Sequence, residues 1–205
     1  MWKKIVAVLV AAIALSMVAA AQETDVYWVG YFNNRNNVTG ADQFVYLVNA
    51  GAQGTPLSAG EGTLCANIYV LDTIQELVEC CSCPVTANAL VPLSVNNNLT
   101  ANPLTTFPPN GGVIKVVSSQ PNGTACDPTA LVTATMGNPN VPTPDLRAWG
   151  THLQAVTAGS FLTTEAPFLA APLSNSVGTG ELTFLPQACT FGWYLGTGTA
   201  VCSCK

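Results

Sequence analysis

The sequence predicts an all-β protein: a single disulfide-stapled β-sandwich, Ig-like or jelly-roll-like, after a cleaved signal peptide. Three observations predict it. Short runs rich in Val, Ile, Tyr, Leu and Thr recur between Gly, Asn and Pro breaks, which is the signature of strands and turns. No long stretch beyond the N-terminus carries the 3.6-residue apolar period of an amphipathic helix. The chain has eight cysteines, an even number, and none precedes Cys65.

The first element is the leader. Lys3 and Lys4 form a positive segment, Ile5 to Leu15 an uncharged apolar core, and Val18 to Ala21 a run of small residues. That three-part pattern predicts a signal peptide over residues 1–21, with cleavage leaving Gln22 first, and hence secretion to the extracellular surface. The competing reading is an uncleaved anchor, for which the apolar run is short. Residues 22–205 then form one domain, 184 residues long, which is enough for a real core.

DVYWVGYF (Asp25 to Phe32) is the first strand. Alternation puts Val26, Trp28 and Phe32 on one face and Tyr27, Val29 and Tyr31 on the other, so both faces are apolar or aromatic. Two readings stand: a central strand buried on both sides, or a donated strand inserted into a neighbouring copy's sheet, with NNRNNVTGAD as hinge. QFVYLVN follows, then a Gly/Ala/Pro loop from Ala50 to Gly62. TLCANIYVL and QELVECCSCPV flank Asp72-Thr73-Ile74 as a hairpin. ALVPLSV, VIKVVSS after Gly111-Gly112, TALVTATM and RAWGTHLQAVT continue the series, and WYL and TAVCSCK close it. GELTFL (Gly180 to Leu185) predicts one helical turn stopped by Pro186.

The cysteines Cys65, Cys80, Cys81, Cys83, Cys126, Cys189, Cys202 and Cys204 predict four disulfides in an oxidising compartment. Cys81/Cys83 and Cys202/Cys204 are C-x-C pairs, and each pair points to one face of a strand. If the last strand neighbours the first pair's strand, two bridges tie the C-terminus across to it, and Cys65 on the hairpin partner joins the same cluster. Adjacent Cys80 and Cys81 point to opposite faces and take different partners. A metal centre is the rival reading, but neither pair has the C-x2-C spacing of zinc folds. We expect no thiol–disulfide exchange activity. We expect no metal and no cofactor.

Charge excludes further classes. With the leader gone, only Arg35, Lys115, Arg147 and Lys205 remain basic, and the formal charge moves from −5 to about −7. Four scattered cations cannot neutralise a run of phosphates or an anionic membrane, so neither nucleic acid nor, after leader cleavage, membrane is an expected partner. Charged residues make up 8% of the chain, far below the usual quarter of a soluble domain, which points to a surface that is polar but uncharged, or to one partly covered by other subunits.

Catalytic sets are missing from the pattern. His152 is the sole histidine, shares a face with Gln154, and reads as an exposed strand residue without triad partners. Glu165 and Glu181 are the carboxylates a glycoside-hydrolase reading would use. Trp28, Trp149 and Trp193 are candidate platforms for sugar rings. Asn37-Val38-Thr39, Asn98-Leu99-Thr100 and Asn122-Gly123-Thr124 fit the N-glycosylation sequon.

Leu64 to Val95, with ECCSCPVT at its centre, together with GVIKVVSS and the terminal VCSC, resembles a group of secreted acidobacterial proteins of no known activity. The resemblance implies bacterial export and a shared fold, and brings no site residues with it. The expected function is therefore a non-enzymatic secreted structural subunit. It self-assembles into a filament or surface layer by exchange of the first strand (Val26, Tyr27, Trp28, Val29, Tyr31, Phe32), with copies of itself as partners. The alternative is a monomeric module that binds a polysaccharide or another extracellular ligand.

Overall fold

Nine strands, one α-helix and a π-helical turn (Val95–Leu99) are described by a computed structural model covering residues 25–33, 42–52, 62–105, 107–131, 140–157, 160–174 and 180–205. The strands are β1 (Tyr27–Asn33), β2 (Phe44–Asn49), β3 (Leu64–Asp72), β4 (Leu77–Val85), β5 (Leu90–Ser94), β6 (Gly111–Ser119), β7 (Leu146–Thr157), β8 (Ser160–Pro167) and β9 (Leu169–Ala170), and the helix is α1 (Glu181–Gly196). The leader (1–21), most of the hinge and the sequon at Asn37 lie outside the described residues.

The strands form two antiparallel sheets, ordered β4-β3-β6-β1-β9 and β5-β2-β7-β8. An immunoglobulin domain orders its strands 1-2-5-4 and 3-6-7, so this arrangement differs from that one. Alternation explains the packing. Leu64, Ala66, Ile68 and Val70 of β3 face inward, joining Val45 and Leu47 of β2, Ile114 and Val116 of β6 and Leu146 and Ala148 of β7 in the core between the sheets. The odd positions of β3 are buried too, because Tyr69 and Leu71 face a second cluster under α1. A strand covered on both faces needs its polar groups satisfied. Asn67 manages this on three counts: Nδ2 donates to Val117 O and Ser119 Oγ, both at 2.9 Å, and Oδ1 accepts from Ser82 Oγ at 2.7 Å.

The strand β1 lies within its own sheet, registered from Tyr27↔Val117 to Asn33↔Gly111 against β6. Trp28 and Phe32 enter the central core, while Val26 joins Tyr27 in the second cluster. Val26 precedes the strand, so the alternation that put it beside Trp28 does not reach it. Tyr31 stays exposed.

The C-terminal region departs from expectation. The helix α1 runs 16 residues through Pro186, and the WYL expected as a strand lies within it. An interior proline removes the N–H that the Leu182 carbonyl would accept and costs about 3 kcal/mol in a free helix. Here Leu182, Leu185, Pro186, Cys189 and Gly192 are buried against the five-stranded sheet, and a disulfide anchors Cys189. Tertiary packing outweighs the local break. Glu181 in the first turn complements the helix dipole, and Ser174 Oγ accepts its N–H at 2.9 Å. The last residues make only a short parallel bridge, Cys80↔Val201, instead of a full strand. Thr129–Leu131 of the expected TALVTATM strand form no strand, and its remainder lies outside the described residues.

Candidate functional site

The disulfides are four: Cys65–Cys126, Cys80–Cys189, Cys81–Cys202 and Cys83–Cys204. The two C-x-C elements pair with each other as their spacing suggests, on the inward face of β4. Cys80 points outward to the helix. Cys65 does not join that cluster; odd positions of β3 face outward, so it meets the loop at Cys126. The sulfurs of Cys81, Cys83 and Cys204 lie within 4.8 Å of one another. All three are in disulfides, so they offer no thiolate to a metal.

These bridges also protect a sheet edge. The N–H of Cys80 donates to Ala200 O at 3.0 Å, and that of Cys202 to Cys80 O at 3.3 Å, so the tail covers the open side of β4. At the other end of that sheet, β9 is two residues long. In the second sheet, Pro92 removes a donor from the five-residue edge β5. The remaining edge is β8, with eight residues, SFLTTEAP, carrying Leu162 60% exposed and Glu165 as its single charge. Among the described residues no strand lies beyond it. Proteins commonly blunt such an edge with lysine, proline or a cover; β8 has only the terminal Pro167.

The outer face of the four-stranded sheet carries a row of rings. Register places Pro92, Tyr46, Trp149 and Pro167 side by side across all four strands. The Tyr46 and Trp149 centroids are 5.9 Å apart, and Phe44 stacks 6.2 Å from Tyr46. Trp149, Glu165, Ala166 and Pro167 line a hollow of about 360 Å³ at one end. The other two tryptophans are not platforms: Trp28 is in the core, and Trp193 is half-buried beside the second cluster.

His152 is buried, not exposed. It faces the core side of β7, and the Tyr31 ring stacks on it at 4.1 Å with a 12° interplanar angle. Burial lowers its pKa and holds it neutral, and Nδ1 has no hydrogen-bond partner. Near Tyr31, a groove of about 700 Å³ opens beside Asp72, Gln75 and Asn110. Asp72 Oδ1 is already taken by the N–H groups of Ile74 and Glu76, so this rim is chiefly a turn.

The two expected carboxylates do not meet. Glu181 forms a bidentate ion pair with Lys115 at 2.9 and 3.0 Å on the helix side. Glu165 sits on the outer face of the opposite sheet, and the sheets alone separate such positions by roughly 10 Å. A hydrolytic pair flanks one bond at shorter range. The carboxylate that sequence reasoning missed is Glu79. It is fully buried, with Oε1 accepting from Asn102 N at 2.6 Å and Oε2 unpartnered. Desolvation raises its pKa to about 7 against the pull of that hydrogen bond. Its position between Val78 and Cys80 in an apolar strand was the available signal. Of the sequons, Asn98 is engaged by Ser94 N and Lys205 O, while Asn122 is exposed in a tight turn.

No protein-family model and no curated protein matches the chain. Among solved structures, a crystal structure of Thermotoga maritima 1070 is similar over 73% of this chain and 97% of that chain, with 13% identity and a TM-score of 0.43. Among the described residues, no helix is long and apolar enough to cross a membrane.

Proposed function

We propose that this chain is a non-enzymatic structural subunit, exported by its leader and oxidised outside the cell, that self-associates into a filament or surface layer. The observation that carries the reading is the open edge of β8 beside three blunted or covered edges. Unpaired N–H and C=O groups along such a strand accept another strand at little cost, because no bond has to be broken first. Support comes from the surface. Charged residues are 8% of the chain, and α1 exposes Phe184, Phe191, Tyr194 and Leu195 with no charge after Glu181. Four disulfides fit an oxidising compartment. Six of the eight connections pass between sheets, a jelly-roll-like habit that leaves β8 at the rim.

Exchange of β1 between copies is the other route to the same assembly, since a neighbour's β6 would offer the same seven-residue register. Addition at β8 requires no strand to leave its sheet, and we take it as the contact. Light scattering and negative-stain microscopy of the native, unreduced protein test the reading. Oligomers or fibres are expected, with Leu162→Lys reverting them to monomers of unchanged stability. Uniform monomers of the wild type would remove the assembly reading. Fibres that persist in Leu162→Lys but vanish on deletion of Gln22 to Phe32 would move the contact to β1.

A further inference from the structure

We infer that the outer face of the four-stranded sheet binds a neutral polysaccharide on the aromatic platform of Phe44, Tyr46 and Trp149, with Glu165 as the polar anchor. The reasoning starts from what covers each sheet. The five-stranded sheet carries α1 on its outer side, joined by the Cys80–Cys189 disulfide, whereas no helix lies on the outer side of the four-stranded sheet among the described residues. An uncovered sheet face is usually polar. This one places three aromatic rings on two adjacent strands, at successive centroid separations of 6.2 and 5.9 Å. Each separation is comparable with the length of one pyranose unit, one running along β2 and the other across to β7, so two adjoining sugars find two rings in either direction from Tyr46. Cross-strand contacts hold the rings in place before binding, which limits the entropy lost on association.

Charge selects the ligand. Among the described residues, the cation on this face is Arg147, which is held by Asp25 at 2.9 Å, and Lys115 lies on the other sheet with Glu181. An anionic glycan would therefore meet Glu165 without a free cation among the described residues to balance it. A neutral sugar suits the same groups: its C–H face rests on the rings, and its hydroxyls donate to the exposed carboxylate in the hollow beside Trp149. The hollow supplies depth at one end of the row, where a flat aromatic strip alone would give little orientation.

The site uses the sheet face and not its edge, so it does not depend on self-association. Affinity electrophoresis would use mixed-linkage β-glucan, xylan, galactomannan and amylose as probes, with polygalacturonate as the anionic comparator. At least one neutral polymer is expected to retard the protein, and polygalacturonate is not. Trp149→Ala should weaken that binding at least ten-fold. Glu165→Gln, at an exposed position, should weaken it several-fold with an unchanged melting temperature, which separates a lost anchor from a lost fold. Leu162→Lys should bind like the wild type, whatever its state of association. No retardation by any neutral polymer, retardation by polygalacturonate instead, or undiminished binding in both Trp149→Ala and Glu165→Gln would overturn the inference.

Discussion

The ring of Phe168 occupies the space that a side chain at Gly30 would need. A Cβ at Gly30 would overlap three atoms of that ring, and one at Gly150 would come within 3.1 Å of it. Gly30 belongs to β1 and Gly150 to β7, so one aromatic side chain fills a slot left by glycines of two different sheets. The joint couples the sheets where β1 has only the two-residue β9 beyond it. Gly30→Ala overpacks the slot and should cost about 1–3 kcal/mol. Combining it with Phe168→Leu should recover part of the loss despite the second truncation, because the two changes share one volume. Urea unfolding of the two single variants and the double variant measures the coupling. Simple additivity would mean that the slot is not shared.

Glu79 makes stability depend on pH in an unusual sense for a carboxylate. Its folded pKa lies near 7, above the ordinary value of 4.5, because burial disfavours the charge. Between those values the folded state holds a proton that the unfolded chain has released. Stability therefore falls as pH rises through that window, and the loss is complete above about 7. Glu79→Gln keeps an acceptor for Asn102 N and cannot ionise. The wild type should melt at a higher temperature at pH 5 than at pH 8, and the variant should lose most of that difference. A difference of equal size in both proteins would assign it to the overall negative charge instead.

The bridges Cys81–Cys202 and Cys83–Cys204 each join residues 121 apart, and they close almost the same loop. Once one is formed, the other restricts the unfolded chain very little further. Replacing Cys83 and Cys204 by alanine should therefore cost much less than half the effect of removing both bridges. Cys80–Cys189 remains in place, so the pair of bridges closes only the short route from Cys189 to Cys202, and full removal should cost about 3 kcal/mol on the chain-entropy account. Denaturant midpoints of the two variants, each with the other bridges intact, give the comparison. Equal steps would show that the second bridge acts through native packing.

The sequence made these relationships legible to different degrees, for physical reasons. Period-2 alternation marks β3 and β4, and it correctly sends Cys81 and Cys83 to one face and Cys80 to the other. It cannot say which loop passes over the outer face, so Cys126 as the partner of Cys65 was not readable. Pro186 is a strong local signal against a helix, yet burial of Leu182, Leu185 and Cys189 holds α1 through it. Tertiary contact overrode propensity there. His152 looked exposed because alternation gives a face, not what lies over that face; Tyr31 arrives from the other sheet. The aromatic row was visible only as single residues, since strand order is what places Tyr46 beside Trp149.

Tyr69 sits under the second cluster, fully buried, and its hydroxyl donates to Pro128 O at 2.6 Å. Burial, reinforced by the Asp127 carboxylate, raises its pKa well above the ordinary phenol value, so the donor proton is retained into the alkaline range. This bond holds the segment carrying Asp127–Pro128 against β3, next to the Cys65–Cys126 bridge. Tyr69→Phe leaves a buried carbonyl without its donor and should cost about 1–3 kcal/mol. Because the disulfide still tethers the loop at Cys126, the damage should be local, with amide exchange quickening around residues 127–131 ahead of β3. In an alkaline titration followed at the phenolate absorbance, one tyrosine of the wild type should ionise only together with unfolding, and that step should vanish in Tyr69→Phe. A variant that retains the step would assign it to another tyrosine, Tyr27 being the next candidate because burial and then Glu181 raise its pKa as well.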